Sequence, residues 1–289
     1  MSYIIKALAL EKNVRVYIMN STDIVNEAIR RHDLWPSAAS VLGKTMTIAA
    51  LMGSMLKGEQ ALTIKIDGNG PIGHVVADAN AYGKVRGYVT RPHVNFTTDS
   101  HELAEVQTLG YNGYIDVIKD LKMNELFTSS VEIMTGDLAK DFTYYFMESE
   151  QTPSVVALGS KFDVDNSCLV CGGIIIQLLP GASEDVISNL ENKLPLLNGF
   201  SQKLLDNQDL ENILRIVFDN DYEILEKMES EFKCPCCKEK FMGGLISLGK
   251  QEIQDIIDKD GKAEAVCHYC GNSYEFDLTE LNKILKEAK

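Results

Sequence analysis

Five of the seven cysteines fall in the last fifth of the chain, and they fall in two groups. The first is Cys234-Pro235-Cys236-Cys237; after a spacer of about thirty residues comes Cys267-His268-Tyr269-Cys270. Thiols in a reducing compartment are kept reduced, so such a pattern points to metal binding or redox chemistry rather than structural disulfides. An odd total also argues against a fully paired framework. Zn²⁺ takes four ligands tetrahedrally, and two close cysteine pairs clamp both ends of a short segment around one ion. A segment this small cannot hold itself by core burial, so the metal supplies much of its folding free energy. The end of the chain is therefore expected to be a metal-held module. Spacing leaves the first knuckle open. Zinc-ribbon logic favours Cys234 with Cys237, a C-x-x-C; the alternative is Cys234 with Cys236, a C-x-C. His268 could substitute as a ligand, but its place inside the second knuckle points it away from a site closed by Cys267 and Cys270.

The rest of the chain must build its own core. Its 289 residues allow about two domains. With 45% apolar and 24% charged residues, wholesale disorder is excluded. The formal charge of −14 would repel a phosphate backbone, which argues against general nucleic-acid binding. No apolar run reaches the roughly 18 residues of a membrane helix. The opening MSYIIKALALEKNVRV lacks a basic start and a cleavage site and has the pattern of a strand. The expectation is a cytoplasmic protein with no membrane partner.

Residues 3–19 read as two strands around Glu11-Lys12-Asn13. Ser21-Thr22-Asp23 offers an N-cap for a helix through about His32. Pro36 opens a second helix, apolar on most faces and so expected in a core, ending near Gly58. Strands are expected over 61–67, 73–79, 83–90, 113–119, 129–134, 154–160 and 169–179, with a helix from Asp137 to about Ser149. Without regular strand–helix alternation this is an α+β pattern. After Pro180-Gly181-Ala182 the chain changes character: from Ser183 to Glu231 only helical patterns are read. The expected organisation is an α+β core over 1–180, a helical linker over 181–231 and a cysteine-rich zinc module over 232–289. No internal repeat or low-complexity tract is evident.

Other motifs give way to plainer explanations. Gly68-Asn69-Gly70-Pro71-Ile72-Gly73 fits a dinucleotide fingerprint by letters, but a strand rather than a helix follows it, so it is a turn. Gly43-Lys44-Thr45 lacks the first P-loop glycine, the position being Ala38, and lies in a helix. Cys168-Leu169-Val170-Cys171 runs into the buried strand pattern Gly172-Gly173-Ile174-Ile175-Ile176, so these thiols are expected in the core. His32, His74, His93 and His101 are scattered, and no nucleophile elbow or triad appears. No catalytic residue is assigned.

The C-x-C, the spacer of about thirty residues and the C-x-x-C, formed by Cys234, Cys236, Cys267 and Cys270, resemble the redox-regulated holdase chaperones of bacteria, the thirty-three-kilodalton heat-shock protein family. Phe232-Lys233 and Cys270-Gly271-Asn272 share in the resemblance. So do residues 145–153 (YFMESEQTP) and 172–182 (GGIIIQLLPGA), and the likeness covers nearly the whole chain. It implies an α+β core, a helical linker and a C-terminal zinc module. It implies one Zn²⁺ per chain, held in the reduced, inactive protein by Cys234, Cys236, Cys267 and Cys270. Oxidation would form the disulfides Cys234–Cys236 and Cys267–Cys270, release the metal and unfold module and linker. The protein would then dimerise and hold unfolding or oxidatively damaged clients without ATP, as a stress-response chaperone rather than an enzyme. Cys237 is a thiol the family pattern does not require. Two other classes compete with this expectation: a constitutively folded zinc-ribbon partner-binding protein, and a thiol–disulfide oxidoreductase using a C-x-x-C.

Overall fold

In the computed structural model, residues 2–98, 103–207 and 209–288 are described; His101 lies outside them. Two paired strands, Tyr3–Ala9 (β1) and Val14–Asn20 (β2), turn through Leu10, Glu11 and Lys12, all at positive φ. The helix Thr22–His32 (α1) follows, but Ser21 does not cap it with its side chain. Ser21 Oγ is instead 2.6 Å from Thr47 Oγ1, and Asn20 Oδ1 accepts from Thr22 N at 3.0 Å. Pro36–Gly53 (α2) starts on its proline, where the missing N–H costs nothing, and is buried at nearly every position.

The next strands are Ala61–Asn69 (β3), His74–Asn80 (β4) and Lys84–Val89 (β5). The glycine-rich stretch after Asp67 links β3 to β4 as a turn, as expected, with Gly73 at φ +72°. A short helix, Glu105–Leu109 (α3), leads to Gly110–Asp120 (β6) and Phe127–Glu132 (β7). Leu138–Glu148 (α4) is capped by Asp137, whose carboxylate accepts from Ala139 N and Lys140 N. Ser154–Phe162 (β8) and Cys168–Leu178 (β9) complete the strands before the change of character.

Beyond it come Glu184–Lys193 (α5), a 3-10 turn over Leu194–Leu197, Phe200–Asp206 (α6) and Leu210–Phe218 (α7). Then the helical expectation fails. Tyr222–Glu229 is a strand (β10), antiparallel to β1, and Glu231–Phe232 (β11) pairs in parallel with β5. Glu, Lys and Leu favour helix intrinsically, but the open edge of β1 offers backbone partners that override so weak a preference.

One sheet thus has the order β10-β1-β2-β9-β8, the other β11-β5-β4-β3-β6-β7. Helix α2 packs against both, and Leu42 and Met46 share a core with Ile64, Val75 and Val117 of one sheet and Ile4, Met19 and Ile175 of the other. This explains why α2 has no polar face. The opposite face of the first sheet, with Ile5, Val16 and Ile174, is covered by Leu197, Phe200, Leu214 and Phe218 from α5–α7. The sheet is therefore buried on both sides, once by the central helices and once by residues from the segment after Pro180.

The chain divides into two compact units, Met1–Lys233 and Cys234–Lys289, and the helical segment lies within the first. The second holds Lys238–Ile246 (α8), Lys250–Lys259 (α9), the hairpin Ala263–Val266 (β12) and Ser273–Phe276 (β13), and Leu278–Glu287 (α10). Helix α10 starts with a capping box between Asp277 and Glu280. The fully buried apolar side chains of this unit's core are Ile253, Phe276, Leu281 and Ile284. Four such residues make a small core for 56 residues, counted 234 through 289. The mixed α+β class is the one expected.

Candidate metal centre

Cys234 and Cys236 come from the extended chain before α8, and Cys267 and Cys270 from the turn joining β12 to β13. That turn is a knuckle: Cys270 N and Gly271 N both donate to Cys267 O, at 3.3 and 2.8 Å, and Cys267 N donates to Asn272 O at 2.9 Å. Gly271, at φ +70°, takes the left-handed conformation that the knuckle requires and that glycine adopts without strain. The donor amides hold both cysteines on one side of the hairpin end.

The four Sγ atoms lie within 4.8 Å of one another. Cys234 Sγ is 3.7 Å from Cys267 Sγ, and Cys236 Sγ is 3.3 Å from Cys270 Sγ. A Zn–S bond of about 2.3 Å sets tetrahedral S···S edges of roughly 3.8 Å, so this set can close around one such ion with small adjustment. Four close sulfurs, two of them buried, can hold a metal ion. Cys237 and His268 are not in the cluster. Cys237 instead lies just ahead of α8, at its N-cap position.

The surroundings polarise the cluster. Tyr274 on β13 donates its hydroxyl hydrogen to Cys236 Sγ at 3.1 Å, and its ring packs on Phe241 with centroids 5.0 Å apart. Burial opposes ionisation of Cys236, but the bonds from Tyr274 and from Cys270, Cys234 and Cys267 outweigh it and bring the thiol down to about 7. In exchange the Tyr274 hydroxyl is pushed up to about 12 by its bond to Cys236. Burial pushes Cys267 and Cys270 up. Nothing in the spacing marks Tyr274; only the hairpin register, Ala265 opposite Tyr274, brings it to the site.

The remaining sequence motifs are structural. Cys168 and Cys171 are buried in β9, and contact with Cys171 together with burial raises the Cys168 thiol. Lys44 cradles no phosphate: its ammonium is 2.6 Å from Glu105 of α3, which also accepts from Ser40. His74 and His93 pair singly with Asp67 and Asp33, at 3.0 and 2.8 Å. Among the described residues no helix is long and apolar enough to cross a membrane.

A family model described as Hsp33 protein matches residues 2–277. The chain belongs to the Hsp33 family. Its Hsp33 relatives include the 33 kDa chaperonin of Bacillus velezensis, 47% identical over all of this chain and 99% of its own length. The 33 kDa chaperonin of Bacillus subtilis is 47% identical over 97% of each chain. Among solved structures, the 33 kDa chaperonin (heat shock protein 33 homolog) of Thermotoga maritima superposes with a TM-score of 0.90 at 32% identity, covering 98% of this chain and 97% of that one. Hsp33 membership and the α+β fold are thus established by agreement of sequence and architecture.

Proposed function

We propose that this chain is a redox-regulated, ATP-independent holdase of the cytoplasm, inactive when reduced and zinc-bound and activated by oxidation. The observation that carries the proposal is the convergence of four thiols from the entry and the hairpin turn of a unit whose core has four fully buried side chains. Cys234, Cys236, Cys267 and Cys270 are proposed as the ligands of one Zn²⁺. Bound there, the ion would keep the sulfurs as thiolates and tie the entry of the unit to its hairpin.

Oxidation acts on the same atoms. Two thiols and one hydrogen peroxide give one disulfide and two waters, and sulfurs joined this way no longer offer charge to a metal. The disulfides are proposed within each knuckle, Cys234–Cys236 and Cys267–Cys270, following the family resemblance. The unit then loses its staple. Cys234 lies one residue past β11, and the preceding β10 has no fully buried residue, so the segment loses its anchor at its weakest end. Release of α5–α7 would uncover Ile5, Val16 and Ile174 on the first sheet, an apolar face suited to unfolding clients and to a second copy of the chain. Binding alone then accounts for activity, with no catalytic group, and the net charge of −14 helps keep client complexes dispersed.

The test is light scattering of a chemically unfolded client diluted into oxidised, reduced and four-cysteine-to-serine protein without nucleotide, with zinc release followed in parallel. Suppression by the oxidised form alone, together with metal release, is expected. Equal suppression by the reduced form would remove the switch and favour a constitutive zinc-ribbon binder; catalytic turnover of a dithiol substrate would favour an oxidoreductase. Peptide mapping of the oxidised form tests the pairing, because the nearest sulfur contacts, Cys234 with Cys267 and Cys236 with Cys270, run between knuckles.

A further inference from the structure

The strand β10 fills a seat with its own chemistry. Its partner β1 is fixed on both faces of the sheet, with Ile4 in one core and Ile5 and Ala7 in the other. Along one edge β1 pairs with β2; along the other its partner is β10, in register from Tyr3 opposite Glu229 to Ala9 opposite Tyr222. The occupant contributes little burial. Tyr222, Ile224 and Met228 are partly buried against the cores, while Leu225 sits at a bulge and is 54% exposed. Two charges of the seat are answered by the occupant: Lys6 by Glu226 at 2.8 Å and Lys12 by Glu223 at 2.7 Å.

We infer that the edge of β1, once vacated by β10, is a strand-pairing site for an extended segment of an unfolding client in which apolar and acidic residues alternate. This rests on the proposed function, which supplies the release of β10. A rigid strand with an unpaired row of N–H and C=O groups is a template for another chain. Unfolding proteins offer such chains, and main-chain pairing needs no particular sequence, with alternate side chains adding selectivity. Lys6 and Lys12 supply that selectivity toward carboxylates. The site is distinct from the apolar face beneath α5–α7, because it recognises backbone as well as side chains. It also opens together with a second edge: the same segment continues into β11 on β5, so both edges are freed by one displacement.

The experiment uses the full chain and a fluorescent peptide of sequence YEILEKME, residues 222–229, read by anisotropy. The oxidised protein should bind it and the reduced, zinc-loaded protein should not. Backbone N-methylation at one of the two alternating sets of residues should weaken binding at least tenfold, and at the other set should have little effect. Lysine in place of both glutamates corresponding to Glu223 and Glu226 should weaken it as well. Equal binding by both methylated peptides would overturn edge pairing in favour of the apolar face. A second route needs no oxidation: Ile224→Asp with Met228→Asp unseats β10 and leaves β1 and all four cysteines intact. This variant should bind the peptide while reduced and metal-loaded; a dimer that excludes the peptide would overturn the client assignment in favour of exchange between copies. Oxidised protein that suppresses client aggregation without binding the peptide would defeat this inference and leave the chaperone reading standing. Failure to suppress aggregation would defeat that reading, with the Ile224/Met228 variant still deciding the edge.

Discussion

The Tyr274 hydroxyl donates to Cys236 Sγ at 3.1 Å, while the Tyr274 ring stacks on Phe241 with centroids 5.0 Å apart. The two halves of one side chain thus serve the cluster and the small core separately. Tyr274→Phe removes the donor and keeps the packing. Outer-shell hydrogen bonds to metal ligands are worth 10- to 100-fold in affinity, so zinc affinity should fall by about tenfold with little change in helix content. Competition with a chromophoric chelator measures it. Unchanged affinity would show that the hydroxyl does not support the bound state.

Cys236 and Cys237 are adjacent in sequence but differ in placement, one within the sulfur cluster and the other outside it at the N-cap of α8. Cys237→Ser should therefore keep one zinc per chain, whereas Cys236→Ser should impair loading. Metal analysis of protein prepared under reductant decides between them. The opposite pattern would restore the C-x-x-C ribbon arrangement.

That pair marks how far the sequence could be followed. The two knuckles were legible because a cysteine pattern states a chemistry directly, and the buried α2 was legible because Pro36 starts it and no polar stripe interrupts it. Choosing between Cys236 and Cys237 from the residues alone was not possible: both lie within reach of Cys234 in an extended chain. The family resemblance pointed to Cys236, and the fold brings that sulfur to the others. Strand β10 was hidden for a different reason. Its apolar residues, at 222, 224, 225 and 228, combine strand and helix spacing around a bulge. Its partner lies more than two hundred positions away, with Tyr3 opposite Glu229. Local pattern carries no information about a pairing so distant, and the same holds for Tyr274 at the cluster.

The absence of a side chain at Gly159 lets α6 lie directly on β8. A Cβ there would fall 2.7 Å from Ser201 Cα and 2.9 Å from Ser201 Cβ. Gly159→Ala should lift α6, whose Phe200 and Leu204 are buried against the first sheet. Burying one such side chain is worth about 2 kcal/mol, and partial loss should loosen the helical layer by a similar amount. The reduced variant should bind a hydrophobic dye more strongly and suppress client aggregation in part while retaining zinc. Unchanged dye binding and thermal stability would show that α6 accommodates the methyl group without moving.

The last prediction concerns the attachment of β11. The Arg31 guanidinium lies 5.3 Å from the centre of the Phe232 ring, two residues before Cys234. Arg31 is held by Glu27, with Nε 2.6 Å from Oε1, and Glu27 also receives Arg30 at 2.9 and 2.8 Å. The hydrogen bond from Arg30, then that from Arg31, overcome burial and hold the Glu27 carboxyl at about 2, below its ordinary 4.5. A lowered carboxylate pKa contributes stability that is fully present above about 4.5 and is lost as the pH falls toward 2. Glu27→Gln should accordingly melt at a lower temperature than the parent at neutral pH, and the difference should close across that acidic window. Comparing the two proteins at each pH cancels any common effect of acid on the metal site. Arg31→Ala removes the cation from the Phe232 ring, an interaction worth about 0.5–1 kcal/mol at an exposed site. Strand β11 is otherwise held by its two-residue pairing with β5, the packing of Phe232 against the first core and the Lys84–Glu231 ion pair at 2.7 Å. Activation of the Arg31→Ala variant by peroxide should therefore be faster by about two- to fivefold, the equivalent of that free energy. Client light scattering sampled during oxidation gives the rate, and an unchanged rate would show that release of β11 does not limit activation.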